Sequence, residues 1–150
     1  MSEGRRRLNF NSEDDVIADV QRLRRGYARS GAWSLPQMCA HLEAATRYRM
    51  QPGPFPPNTP EQNTRRAMFA QIMASGQLPD GIVAPPTMMP PEDCGDEKID
   101  AFIAAITEFK SFPGPIAPHR IFGHLSDSDA RRLNLIHCAH HLSYLTPTTS

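Results

Sequence analysis

Apolar residues recur along most of the chain at three- and four-residue spacing, the period of a helix lying half-buried on a core. Val16, Val20, Leu23 and Tyr27 share one face of a first predicted helix, which opens at a Ser12 cap with Asp15 three residues on and runs to about the "SGAW" stretch at 30–33. A second opens at Ser34, with Gln37 completing a capping-box pattern, and carries the stripe Leu35, Met38, Leu42 and Ala45. Thr59-Pro60 starts a third, because proline suits the first helical position, and this helix runs through Met68, Phe69 and Ile72 to a stop at Gly76. Ile99, Phe102, Ile103, Ile106 and Phe109 define a fourth. Ser126 caps a fifth, expected to end at Leu145 ahead of Pro147. No stretch alternates with a strand's period over a useful length, and no hairpin signal appears. "QPGPFPPNTP" (51–60) and "QLPDGIVAPPTMMPPED" (77–93) gather many of the fifteen prolines and read as stiff crossings. The pattern predicts an all-α bundle of four main helices with proline-rich crossover loops and one additional short helix. It forms a single domain over 1–150, with 1–10 as an N-terminal arm.

Composition narrows the function classes. Lys plus Arg and Asp plus Glu cancel at 16 each, so no strong field favours nucleic acid or an anionic membrane. The basic clusters at Arg5–Arg7 and Arg22–Arg25 are short. No run approaches the length of a membrane span, and "NSEDDVIADV" follows "RRRLNF" where an export signal would need an apolar stretch. Cys39, Cys94 and Cys138 are odd in number and irregularly spaced, which argues against a disulfide framework and for a reducing compartment. A cytoplasmic location is expected.

The candidate chemistry lies in "LIHCAHHLSYL" (135–145), with three histidines and no Lys, Arg, Asp or Glu. At about 100° per residue its apolar side chains point in most directions, as on a helix buried on most sides. His137 and His141 share a stripe with Asn134, and His140 lies beside it. The first two are four residues apart, about 6 Å along the axis, a spacing that lets two imidazoles converge on one ion. A third ligand must come from elsewhere. The second helix offers His41, at the edge of its inward face beside Gln37 and Tyr48, while Glu43 and Arg47 mark its solvent side. Cys39 and Cys138 are turned away and read as small core residues. His119 and His124, in "PHRIFGHLSD", are expected to be exposed or bonded to backbone rather than to metal. Spacing alone leaves two readings open: a metal site, or buried histidines satisfied by hydrogen bonds.

Four stretches in order, "RRRLNF", "GAWSLPQMCAHLEAA", "HRIFGHLSDSDARRL" and "LIHCAHHLSYL", resemble motifs of the DinB/YfiT-like superfamily of metalloenzymes. They are most similar to a small branch of unknown function with R-R-x-L-x-F, G-x-W-S-x-x-Q-x-x-x-H-L, H-P-x-F-G-x-L and H-x-x-H-H-L. The resemblance spans about Arg6 to Leu145, nearly the whole chain. It implies a four-helix bundle of DinB/YfiT type with a metal on three histidines, one on the second helix and two four apart on the last. These fall on His41, His137 and His141. The chain departs from the pattern at Arg120, where the branch has proline, and at Ala130, where a tryptophan is common.

Three neutral imidazoles with an open position form the pattern of a catalytic rather than a structural metal site, and the ligands suit zinc or nickel. Their lack of charge leaves the ion's double positive charge to attract an anion such as hydroxide, a carboxylate or a thiolate. No glutamate stands beside the helical pair, so the catalytic side chain is unassigned and water or a thiol activated by the metal would carry the chemistry. Gln37, Tyr48, Asn134 and His140 are the candidate pocket residues. The resemblance implies a metal-dependent enzyme acting on a small molecule (a transferase using a low-molecular-weight thiol, or a hydrolase or isomerase) and a homodimer. The alternatives are a non-catalytic metal- or ligand-binding module and a helical interaction protein.

Overall fold

The computed structural model describes residues 4–80, 82 and 84–148. The first residues of the arm, positions 81 and 83 of the second proline-rich join, and 149–150 lie outside the described residues. The described chain is mostly helical. In order come α1 (Glu13–Arg24), β1 (Tyr27–Arg29), α2 (Leu35–Arg49), α3 (Pro60–Asn63), α4 (Arg66–Ser75), a 3₁₀ turn at Pro86–Met88, α5 (Glu97–Lys110), α6 (Asp127–Leu142) and β2 (Leu145–Pro147).

Short polar side chains set the helix starts by taking amide protons that have no partner inside the helix. The Ser12 and Ser126 hydroxyls accept from the Asp15 and Asp129 amides, and Ser34 with Gln37 and Thr59 with Gln62 form reciprocal capping boxes. At the far end of α4, Gly76 takes the left-handed conformation, φ 71°, that favours glycine.

The main core joins Val16, Val20 and Leu23 of α1, Leu35, Met38 and Leu42 of α2, Ile99, Phe102 and Ile106 of α5, and Leu135, Cys138 and Leu142 of α6. Each large side chain buried in it contributes about 1.5–3 kcal/mol. The contact of α2 with α5 is the most extensive, and α6 packs on both α1 and α2. A second cluster unites Ile72 of α4 with Phe122, Leu133 and Ile136, so α6 is covered from two sides. Its third face carries the histidines.

Four predicted boundaries or elements need correction. Helix α1 ends at Arg24 rather than near residue 30, because Gly26 turns the chain at φ 143°. Tyr27 then starts a three-residue strand antiparallel to β2, with Tyr27 opposite Pro147, and its hydroxyl accepts from the Leu35 amide at the start of α2. Helix α6 stops at Leu142 rather than Leu145. The Arg6 guanidinium donates to the carbonyls of Leu142 and Leu145, and the chain beyond pairs with β1. The predicted third helix is two, broken at 64–65, where the Gln62 and Arg65 side chains donate to the carbonyls of Arg120 and Ile121. The two-stranded ladder itself had no sequence signal: three residues are too few to show alternation.

Among the described residues no helix is long and apolar enough to cross a membrane. All three cysteines are free, Cys39 and Cys138 being buried. Burial pushes the Cys39 thiol up to about 12 and raises that of Cys138 as well, which keeps both protonated and inert.

Candidate metal centre

His41 projects inward from the middle of α2 and is 3% exposed. Its Nδ1 lies 2.8 Å from the carbonyl of Met88, a group that only accepts, so Nδ1 carries the proton and Nε2 presents a lone pair. That lone pair meets α6. His41 Nε2 is 3.3 Å from His137 Nε2, which is 3.1 Å from His141 Nε2. All three ligand atoms lie within 4.8 Å of one another. Trp33, just before the α2 cap, stacks on the His141 ring at 5.7 Å between centroids and 17° between planes. It also contacts His41 at 5.2 Å.

Protons alone leave this arrangement frustrated. His41 Nε2 has no hydrogen to give. If His137 Nε2 carries one, it can serve only one of its two close neighbours. If His141 donates to His137 instead, the lone pairs of His41 and His137 face each other. One cation accepts all three lone pairs at once. Four-coordinate zinc with Zn–N of about 2.0–2.1 Å sets ligand nitrogens about 3.3 Å apart, so these separations fit. The Met88 carbonyl fixes the His41 tautomer, the usual way a metal-binding imidazole is oriented. His137 differs, since its buried Nδ1 has no partner among the described residues.

The electrostatics keep the imidazoles neutral, as metal ligands must be. Burial pushes the His41 pKa down, opposed by the bond to the Met88 carbonyl and assisted by Arg120. Burial drives His137 well below its ordinary value, with His141, His41 and Arg49 adding to the effect. His141 is lowered in the same way, first by burial and then by His41, His140 and Arg5.

A cavity of about 270 Å³ opens beside the three rings. Tyr48 and His140 line it, as does His119. Two sequence-derived pocket candidates do not. The Gln37 carboxamide completes the α2 capping box and donates to the Pro91 carbonyl. Asn134 turns into the helix packing, donating to Thr46 Oγ1 at 3.5 Å. His119 and His124 both bond to backbone, as expected. His124 Nε2 donates to the Pro56 carbonyl, and His119 Nδ1 accepts from the Ile121 amide at 3.0 Å, which leaves the His119 proton on Nε2. The turn that holds His119 needs Gly123, where a Cβ would sit 2.3 Å from Asn58 Oδ1. Burial, with Arg49 and Arg120 nearby, brings the His119 pKa down to about 2.

Sequence reasoning passed over Trp33, Arg49 and Arg120 in the lining. Trp33 had one signal, its place next to the cap, where a bulky residue often packs back over the helix. A family model described as protein of unknown function (DUF1569) matches residues 2–148. The chain belongs to that family. No curated protein and no solved structure matches it, so the histidine cluster of this DUF1569 chain is read from its own geometry.

Proposed function

We propose that His41, His137 and His141 hold one divalent metal ion, zinc or nickel, and that the protein is a metal-dependent enzyme acting on a small molecule. The observation that carries this reading is the pair of Nε2–Nε2 separations at 3.3 and 3.1 Å, which no distribution of protons satisfies. Bound there, the ion would act as a Lewis acid and lower the pKa of a water or thiol brought to it. The chain's own contribution is orientation and exclusion. Met88 fixes one ring, Trp33 covers two, and Leu78, Ile121 and Phe122 line the cavity with apolar surface. We further propose that this is a single domain of the DinB/YfiT type. Its support is that α1, α2, α5 and α6 share one core and that the donors divide between the second and last of them.

Metal analysis of the native protein beside His41→Ala and His137→Ala tests the site. One equivalent in the native protein and none in the variants is the expected result. No metal, with melting unchanged on adding zinc or nickel, would sink the proposal and leave a helical interaction protein. A second reading, a module that binds metal or ligand without turnover, has one observation in its favour: among the described residues no Asp or Glu lines the cavity to act as a base. Turnover of candidate thiols and electrophiles that depends on added metal decides between the two.

A further inference from the structure

The cavity's polar groups are unevenly distributed. Apart from the three imidazoles and His140, its lining offers donors and cations: the Arg49 and Arg120 guanidiniums, the His119 Nε2–H and the Tyr48 hydroxyl. None of the described lining residues is acidic. Arg49 is only 5% exposed, yet its side chain makes no hydrogen bond or ion pair among the described residues. A buried arginine normally has a carboxylate or several carbonyls to compensate it, because taking a charge out of water costs several kcal/mol. At the opposite end of α6, Arg6 shows that arrangement, with Asp19 and two carbonyls.

Arg49 is the last residue of α2, two turns beyond His41, and its positive charge acts on both His137 and His119. Burial has brought its pKa down to about 10, so it remains a cation at neutral pH. Arg120, next to His119, lines the same cavity, and its charge acts on Arg49. The lining also includes apolar residues such as Leu78, Ile121, Phe122 and Leu133.

We propose that Arg49 and Arg120 form an oxyanion subsite in the cavity, so that the ligand is a small molecule with a carboxylate or phosphate at one end and an apolar body. The inference rests on the reading of this cavity as the ligand site, and it names the substrate class. The guanidinium fork takes two oxygens of such a group side by side, and the buried setting strengthens those bonds. The ligand's charge, rather than a protein carboxylate, compensates Arg49.

Trp33 is the chain's one tryptophan and lines the cavity, so its emission reports binding directly. Hexanoate, hexyl phosphate and the neutral 1-hexanol are titrated into the full chain, both as purified and after chelator treatment. The better of the two anions identifies the head group. It is expected to bind about tenfold or more tighter than the alcohol. Arg49→Met should abolish that preference and Arg120→Gln should weaken it about threefold. Arg47→Gln, on the solvent face and paired with Glu43 and Glu108, should leave it intact. Equal binding of alcohol and anions, or a preference that survives Arg49→Met, overturns the proposal. If Arg49→Met does not fold, an unchanged preference in Arg120→Gln overturns it instead. Anion preference in chelated protein and zinc uptake are separate readouts, so either reading can fail alone.

Discussion

The seam between the N-terminal arm and α6 can be set beside the cavity wall, for each draws an arginine largely out of solvent. In the seam, Arg6 grips both oxygens of Asp19 at 2.8 and 2.9 Å and donates to the carbonyls of Leu142 and Leu145. Its neighbour Arg5 lies over the Tyr144 ring at 4.0 Å and bonds to Ser143. In the cavity, among the described residues, Arg49 has no counter-charge and His137 Nδ1 has no partner, and three imidazole nitrogens crowd together. One region is resolved entirely within the chain. On the proposed reading, the other is resolved by a metal and a ligand that enter it. Frustration of this kind gathers at working sites, while the rest of the fold carries the stability to tolerate it.

Acidification should break the contrast most strongly. Burial keeps the imidazoles of His41, His137 and His141 neutral in the folded protein, whereas the unfolded chain binds protons below about pH 6.5. Stability therefore falls as pH drops. Between pH 7 and 5 a histidine that stays neutral throughout removes at most about 2 kcal/mol. Urea unfolding of metal-free protein at both pH values measures this, and a flat profile would show that the rings are not held neutral.

The next effect lies in the seam. Arg6→Ala strands the Asp19 carboxylate, 5% exposed, with only a 3.5 Å contact from Arg22. Loss of about 3–5 kcal/mol is expected by chemical denaturation. Zinc should act in the opposite sense on the cavity. At a hundredfold excess over its Kd it adds about 2.7 kcal/mol, seen as higher melting in the native protein and not in His137→Ala. The smallest effect is the most telling. Arg49→Met removes a buried cation that nothing among the described residues compensates, so the ligand-free variant should melt higher, by about 1 kcal/mol of added stability. A drop would mean that Arg49 is structural, like Arg6.

Much of this was legible in the sequence, for specific reasons. Ser12, Ser34, Thr59 and Ser126 announced their helix starts because a cap is a local bargain between a side chain and nearby amides. Helix ends were less legible. The apolar period continues past Leu142, and what ends α6 is an arginine 136 residues upstream. Helical angles selected His41, His137 and His141 because both helices are regular where those residues sit. The same count places Arg49 at about 320° from Leu35, in the middle of the apolar face, a position that by itself marks it as buried. Gln37 was misjudged by the same logic, since its place at the third helical position already committed it to the cap. The Met88 carbonyl had no signal at all, because it arrives on an irregular proline-rich crossing.

His41 and His137 are 96 positions apart. Closing a loop of that length costs an unfolded polypeptide roughly 4 kcal/mol in entropy, so before folding His41 is a stranger to the His137–His141 pair. During synthesis the first of them emerges long before the others, and only the docking of the final helix brings them together. Capture of an ion would then act as a timestamp, marking molecules whose maturation is complete.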